Sequence, residues 1–84
     1  MPTASDFQAA LDKIFRGAQE RGLSRVDVKA GNLHRQVGGY PGNNHRMPVC
    51  CSVMRQNMRV GDTIVYEPPK GQGASLTIRY TIPR

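Results

Sequence analysis

The chain has 84 residues, which predicts one domain with a compact core and no room for a large cofactor cavity. Its 12 basic and 6 acidic side chains give a formal net charge of +6, which favours nucleic acid, and less strongly a membrane surface, as the partner. No apolar run approaches the roughly 20 residues of a membrane span, so we expect no membrane insertion.

The cysteines and the first residues indicate a reducing compartment. Cys50 and Cys51 are adjacent, and neighbours on a helix point about 100° apart, so they do not form an ordinary disulfide. The first residues lack the charged and apolar regions of a signal peptide. We therefore expect a cytoplasmic protein.

Apolar residues at helical spacing predict a first helix from Ser5 to Arg21. Ser5 followed by Gln8 resembles a capping box, and Gly22 suits the left-handed residue that follows a last turn. The predicted apolar stripe consists of Phe7, Ala10, Leu11, Ile14, Phe15 and Ala18.

A short strand and two further helices are expected next. Valines alternate with charged residues from Arg25 to Lys29, which predicts a strand. From Ala30 to Met58 we expect two helices separated by a turn, because the run Gly38–Gly42 is rich in glycine and proline.

The third helix is predicted to begin near Asn43 to Met47, with Asn43 or Asn44 as its cap and Pro48 in its first turn. One side of this helix is apolar and the other is polar. The apolar stripe consists of Met47, Cys50, Cys51, Met54 and Met58, and the polar side of Ser52, Arg55, Gln56 and Arg59.

The C-terminal part of the chain is typical of a β-hairpin. Apolar residues at spacing two predict strands over Asp62–Glu67 and Ser75–Ile82, joined by the Gly/Pro loop Pro68–Ala74 with Lys70 at its tip. Tyr66 and Tyr80 are in phase with the apolar positions, so both are expected in the core.

This order of elements resembles the winged helix-turn-helix superfamily. The expected fold class is therefore α+β, with three helices, a short first strand and a C-terminal two-stranded β-hairpin as the wing. The resemblance implies that the third helix, about Met47 to Met58, enters the DNA major groove and that the hairpin contacts the flanking backbone or the minor groove. The run from Gly39 to Cys51 is also similar to small DNA-recognition modules near restriction nucleases.

The charge layout supports the same interpretation. The stretch from Lys29 to Arg59 contains no Asp or Glu, so phosphates would be attracted to it. Arg55, Gln56 and Ser52 have the chemistry to bind base edges, since Arg pairs with guanine and Gln with adenine. Contacts to phosphates are expected from Lys29, Arg35, Arg46, Arg59 and Lys70. The plain alternative is a solvated polar helix face.

The start of the third helix is a separate candidate. Its backbone N–H groups suit a phosphate, and Asn44 and His45 have side chains that donate hydrogen bonds to a base edge. Capping and turn chemistry is the better explanation of the asparagines, whereas Arg46 favours a DNA contact.

Metal and enzyme chemistry find little support in the sequence. His34, His45, Cys50 and Cys51 lack the spacing of a zinc site, and no feature orients a Cys–His nucleophile pair. We therefore expect no cofactor and no enzymatic activity. The expected function is double-stranded DNA binding, in transcription regulation or in a recognition module. The alternative is a protein-interaction module that docks through its hairpin edge or its methionine stripe.

Overall fold

The computed structural model describes residues 3–38 and 46–83. Three helices and a three-stranded antiparallel sheet form a small domain within these ranges, and its α+β class and its three helices are the predicted ones. The elements in chain order are α1 (Ala4–Glu20), β1 (Arg25–Lys29), α2 (Ala30–Val37), α3 (Met47–Gln56), β2 (Thr63–Tyr66) and β3 (Thr77–Thr81). The strand order is β1-β3-β2, so β1 pairs with β3 and extends the predicted two-stranded hairpin to a three-stranded sheet.

The first helix begins with a capping box, although not the predicted one. The Thr3 hydroxyl accepts a hydrogen bond from the backbone of Asp6, and the Asp6 carboxylate accepts one from the backbone of Thr3 at 2.9 Å. The predicted pair of Ser5 and Gln8 is therefore wrong. The Gln8 side chain instead bonds that of Asn57 and fixes α1 against the end of α3.

The predicted glycine at the end of α1 is confirmed. Gly22 has a φ of 72°, in the left-handed region that favours glycine. Its N–H bonds the carbonyl of Gln19, and the N–H of Leu23 bonds that of Ala18. These two bonds form a Schellman motif, which satisfies the last carbonyls of the helix and turns the chain towards β1.

The core lies between the three helices and the inner face of the sheet. Tyr80 is fully buried, its ring packs edge-on against Phe15 at 4.9 Å, and its hydroxyl donates a hydrogen bond to the Met54 carbonyl at 2.7 Å. The predicted apolar positions of the helices and of β3 contribute most of the core. Its largest fully buried side chains also include Phe7, Leu11, Leu33, Met54, Leu76 and Ile78.

A β-bulge changes the orientation of the second half of β2. Ile64 pairs with Ile78, but Tyr66 pairs with Thr77, so Val65 is an extra residue in β2. In regular pairing Tyr66 would stand opposite Leu76, on the core face. The bulge moves it to the outer face, where 51% of it is exposed, so the prediction that Tyr66 belongs to the core is wrong.

The β2–β3 loop packs on the helices. The backbone N–H groups of Ala30 and Gly31, at the start of α2, donate to the carbonyls of Leu76 and Ala74 at 2.8 and 2.9 Å. These loop carbonyls therefore cap a helix whose N-cap side chain makes no capping bond. On α3, Cys51 Sγ lies 3.5 Å from both the backbone nitrogen and the carbonyl oxygen of Gly73.

The close approach of loop and helix requires a glycine at position 31. A Cβ at Gly31 would lie 3.1 Å from the Ala74 Cβ and 3.2 Å from its carbonyl oxygen. We expect Gly31→Ala to lower the free energy of unfolding by about 1–3 kcal/mol, because two backbone segments must separate. Gly17→Ala is the control, since nothing lies within 4 Å of its Cβ position. That variant should gain about 0.5–1 kcal/mol in urea unfolding, and an equal gain for Gly31→Ala would contradict the packing.

The buried hydroxyl of Tyr80 provides a second test of the core. Tyr80→Phe leaves the Met54 carbonyl without this donor, and we expect a loss of about 1–2 kcal/mol in the free energy of unfolding. The matched change Tyr66→Phe, on the exposed tyrosine, should stay within about 0.5 kcal/mol of the wild type in the same urea titration. Equal effects of the two changes would show that the Tyr80 bond contributes nothing.

Candidate nucleic-acid interface

Helix α3 has the two faces that its sequence predicts. Ser52 and Gln56 are exposed on its outer side, and Arg55 is half-buried between them and the β2–β3 loop. Met47, Cys50, Cys51 and Met54 are buried on the inner side, and Met58 is half-buried. The helix ends at Gln56, so Arg59 does not share the outer face of α3 as predicted.

The helix begins at Met47, within the predicted range, and its N-cap is Arg46. Arg46 makes no side-chain capping bond, and the predicted caps, Asn43 and Asn44, lie outside the described residues. Pro48 lies in the first turn, as predicted, where its missing N–H costs the helix no hydrogen bond. The candidate DNA contacts Asn44 and His45 lie outside the described residues.

A buried histidine holds the start of α3. The backbone N–H of Arg46 donates to His34 Nε2 at 2.8 Å, and the imidazole packs edge-on against the Phe7 ring at 4.8 Å. His34 is fully buried. In the sequence it was considered only as a metal ligand or as the base of a Cys–His pair. However, it is in phase with Ala30 and Leu33 on α2, and that phase was the signal for a core position.

Arg55 joins α3 to the β2–β3 loop. Its Nη2 donates to the Gly71 carbonyl at 2.6 Å and to the Glu67 carboxylate at 3.0 Å. The ion pair is partly exposed, with 33% of the Arg55 side chain and 55% of the Glu67 side chain accessible. The surface around Arg55 therefore includes an acidic side chain, although the stretch from Lys29 to Arg59 has none. Glu67 offsets part of the positive charge of that stretch.

The same contact places Lys70 beside α3. Lys70 is exposed and precedes Gly71, whose carbonyl binds Arg55. The loop also contacts Cys51, so it runs along the edge of α3 next to Ser52. The structure thus joins the loop segment that contains Lys70 to the helix that carries three other predicted DNA-binding residues, Ser52, Arg55 and Gln56.

Three predicted phosphate contacts lie elsewhere. Lys29 pairs with Thr77 on the sheet. The Asp62 carboxylate accepts bonds at 2.8 Å from the backbone N–H groups of Arg59 and Thr81, so Arg59 lies near the other end of β3. Four residues of strand separate these positions by roughly 13 Å. Lys29 and Arg59 therefore do not form one cluster with each other, and Arg35 is exposed on α2.

The thiols have structural roles in this arrangement. Cys50 is fully buried, and its Sγ donates to the Ala30 carbonyl at 3.5 Å. Burial raises the pKa of the Cys50 thiol to about 12, and the neighbouring Cys51 adds to the effect. Cys50 therefore stays protonated and packs as a small apolar side chain. Residues 3–38 and 46–83 contain no group of three or more metal-ligating side chains.

Comparisons with known proteins give no relative: no family model, no curated protein and no solved structure matches the chain. Among the described helices, none has both the length and the apolar character needed to cross a membrane.

The bonds of Arg55 predict how firmly the loop is held. Arg55→Ala should speed hydrogen exchange of the loop amides at 71–76 roughly tenfold, because a charge-assisted hydrogen bond contributes about 1.5 kcal/mol. Gln56→Ala, at the adjacent exposed position, should leave that exchange unchanged. Exchange at wild-type rates in Arg55→Ala would mean that the contacts of Cys51, Ala30 and Gly31 hold the loop without it.

Proposed function

We propose that this protein binds double-stranded DNA without enzymatic activity, with α3 in the major groove and the β2–β3 loop against the adjoining backbone. The observation that carries the proposal is the bond from Arg55 to the Gly71 carbonyl, which joins the loop, next to the exposed Lys70, to the helix that exposes Ser52 and Gln56. An amide and a hydroxyl bind base edges, and an ammonium group beside them binds phosphate.

The architecture supports this mode of binding. We propose that the order of helices, together with the strand order β1-β3-β2, represents a winged helix-turn-helix arrangement. The β2–β3 loop is then the wing. It differs from a protruding wing because Ala74 and Leu76 bond the start of α2. We infer that it contacts DNA close to α3, and not at a distant part of the groove.

The structure changes the role that we propose for Arg55. Both of its described bonds use Nη2, and both lead to the loop segment that contains Lys70. Arg55 therefore acts first as a positioning residue, which holds Lys70 near the DNA backbone. Base contacts are proposed for Ser52 and Gln56, and backbone contacts for Lys70 and for the half-buried Arg46 at the start of α3.

Docking of a protein is the second candidate function. The methionine stripe does not serve it, because Met47 and Met54 are buried in the core. Val60 favours it, since this aliphatic side chain is fully exposed at the tip of the turn between α3 and β2. Arg59 N–H and the Asp62 carboxylate close that turn at 2.8 Å, so Val60 is presented on a fixed loop.

Duplex binding tests the leading proposal. We expect a fluorescein-labelled duplex of about 20 base pairs to be bound with a Kd below roughly 100 μM at low salt. Lys70→Gln should weaken binding and reduce the slope of log K against log salt by about 0.9, the value for one lost phosphate contact. Anisotropy titrations at several salt concentrations measure both quantities.

Lys13→Gln is the matched control. Lys13 is exposed on α1 and adjoins Gln36 and Val37, at the end of α2 opposite to the loop contact. Its removal lowers the net charge equally but should leave the salt slope unchanged. Equal changes for Lys70→Gln and Lys13→Gln would indicate attraction by net charge alone. Absence of duplex binding at about 100 μM and low salt would overturn the proposal and favour docking of a protein at Val60.

A further inference from the structure

The side of the sheet that faces away from the helices has a composition of its own. The inner positions of the three strands are apolar, whereas the outer positions alternate with them and are polar. We call this surface the outer sheet face. It consists of Arg25, Asp27 and Lys29 on β1, Thr77, Arg79 and Thr81 on β3, and Thr63 and Tyr66 on β2.

Tyr66 is the one aromatic side chain on this face, and the bulge at Val65 places it there. Regular pairing would turn its ring towards the core, as the sequence alternation predicts. Bulges often re-aim a side chain at a functional site. With 51% of it accessible, Tyr66 presents an aromatic ring to solvent instead of contributing a core contact.

The charges around Tyr66 are arranged for an anion. Asp27 is the only acid on the outer sheet face, and Arg79 binds it through Nε at 2.8 Å and Nη2 at 3.1 Å. The Arg79 guanidinium holds the pKa of Asp27 below its ordinary value, so the carboxylate stays ionised and its charge is compensated. Lys29 and Arg25, both exposed, leave this face with a positive balance.

One row across the sheet combines a cation with the ring. Lys29 pairs with Thr77, and Thr77 pairs with Tyr66, so the lysine and the tyrosine flank β3. Their backbones are about 10 Å apart, because neighbouring strands lie about 4.8 Å apart. A lysine side chain is long enough to approach a phosphate whose base lies on the ring. Arg25 lies about 13 Å along β1, in the direction that a strand would follow.

We propose that the outer sheet face binds single-stranded nucleic acid, with an unpaired base stacked on Tyr66 and the backbone phosphates beside Lys29 and Arg25. An exposed ring among cations binds single strands through stacking and charge. A duplex offers no internal base for stacking on the ring, because its bases are already stacked on one another. The threonines beside Tyr66 add hydroxyl groups that bond the sugar or the base edge.

The outer sheet face is separate from the surface proposed for duplex DNA. Ser52, Gln56 and Lys70 belong to α3 and to the loop that packs on it, whereas Tyr66 and Lys29 stand on the opposite side of the sheet. The two proposals therefore rest on different residues and fail independently.

The test is an anisotropy titration with a fluorescein-labelled oligothymidine of about 10 nucleotides at low salt. We expect binding by the wild type, and a Kd for Tyr66→Ala that is roughly 5- to 100-fold higher, the range for loss of one stacked base. Tyr66→Phe keeps the ring and should keep the affinity. Val65→Ala, at the adjacent exposed apolar residue, should also bind as the wild type does.

A spectroscopic variant adds a direct readout of stacking. Tyr66→Trp introduces the only tryptophan of the chain, and a base stacked on it should quench its fluorescence in the course of the titration. Lys29→Gln should weaken binding and lower the salt slope by about 0.7, the value for one phosphate of a single strand. Circular dichroism of each variant shows that the fold is retained.

Several outcomes would overturn the proposal. They are absence of oligothymidine binding at about 100 μM and low salt, wild-type affinity in Tyr66→Ala, or equal losses for single strand and duplex in that variant. Lys70→Gln should weaken duplex binding and leave oligothymidine binding unchanged. Binding of oligothymidine without binding of duplex would overturn the duplex proposal and leave this one standing.

Discussion

The start of α2 depends on bonds from a segment more than 40 residues further along the chain. Its N-cap, Lys29, has no side-chain bond to offer, and the first N–H groups of the helix donate to the carbonyls of Ala74 and Leu76. Unsatisfied N–H groups at a buried helix start are costly, so the start of α2 depends on the loop before β3 being in its place. Gly31 makes this approach feasible, since any larger side chain would meet Ala74. The arrangement of the sheet against the helices follows from this contact.

The position of the loop also determines what the protein presents to a ligand. Because the loop is held at α2 and again by Cys51 and Arg55 on α3, Lys70 stands beside the exposed side of α3. Arg55 contributes to this geometry, but its Nη2 is less available to a ligand because it already bonds Gly71 and Glu67. The sequence predicted that Arg55 binds a base edge, whereas in the fold its side chain holds the β2–β3 loop against α3.

The sequence predicted what depends on local periodicity. The helical stripe of α1, the strand from Arg25 to Lys29, and the two faces of α3 follow from spacings that a single element imposes. Features that arise from pairing between distant segments were missed. The bulge at Val65 reverses the face of Tyr66. The Thr3 cap, two residues before the predicted Ser5, is a local feature that was also missed, because Thr3–Asp6 and Ser5–Gln8 both have the spacing of a capping box. Likewise, a stretch without acids along the chain did not predict that Glu67 folds against Arg55.

The bulge links the two surfaces of the domain. An inserted residue changes the face of every position that follows it in a strand, so Val65 determines the side on which Tyr66 stands. Glu67 is the next residue after Tyr66, and its carboxylate bonds Arg55 of α3, on the side of the sheet that faces the helices. The ring on the outer sheet face and the carboxylate that holds the loop are therefore adjacent residues. A strand with regular pairing would bury Tyr66 opposite Leu76 and shift Glu67 in register. The extra residue Val65 therefore exposes the ring of Tyr66 and also brings Glu67 to Arg55, whose bonds hold the loop that contains Lys70.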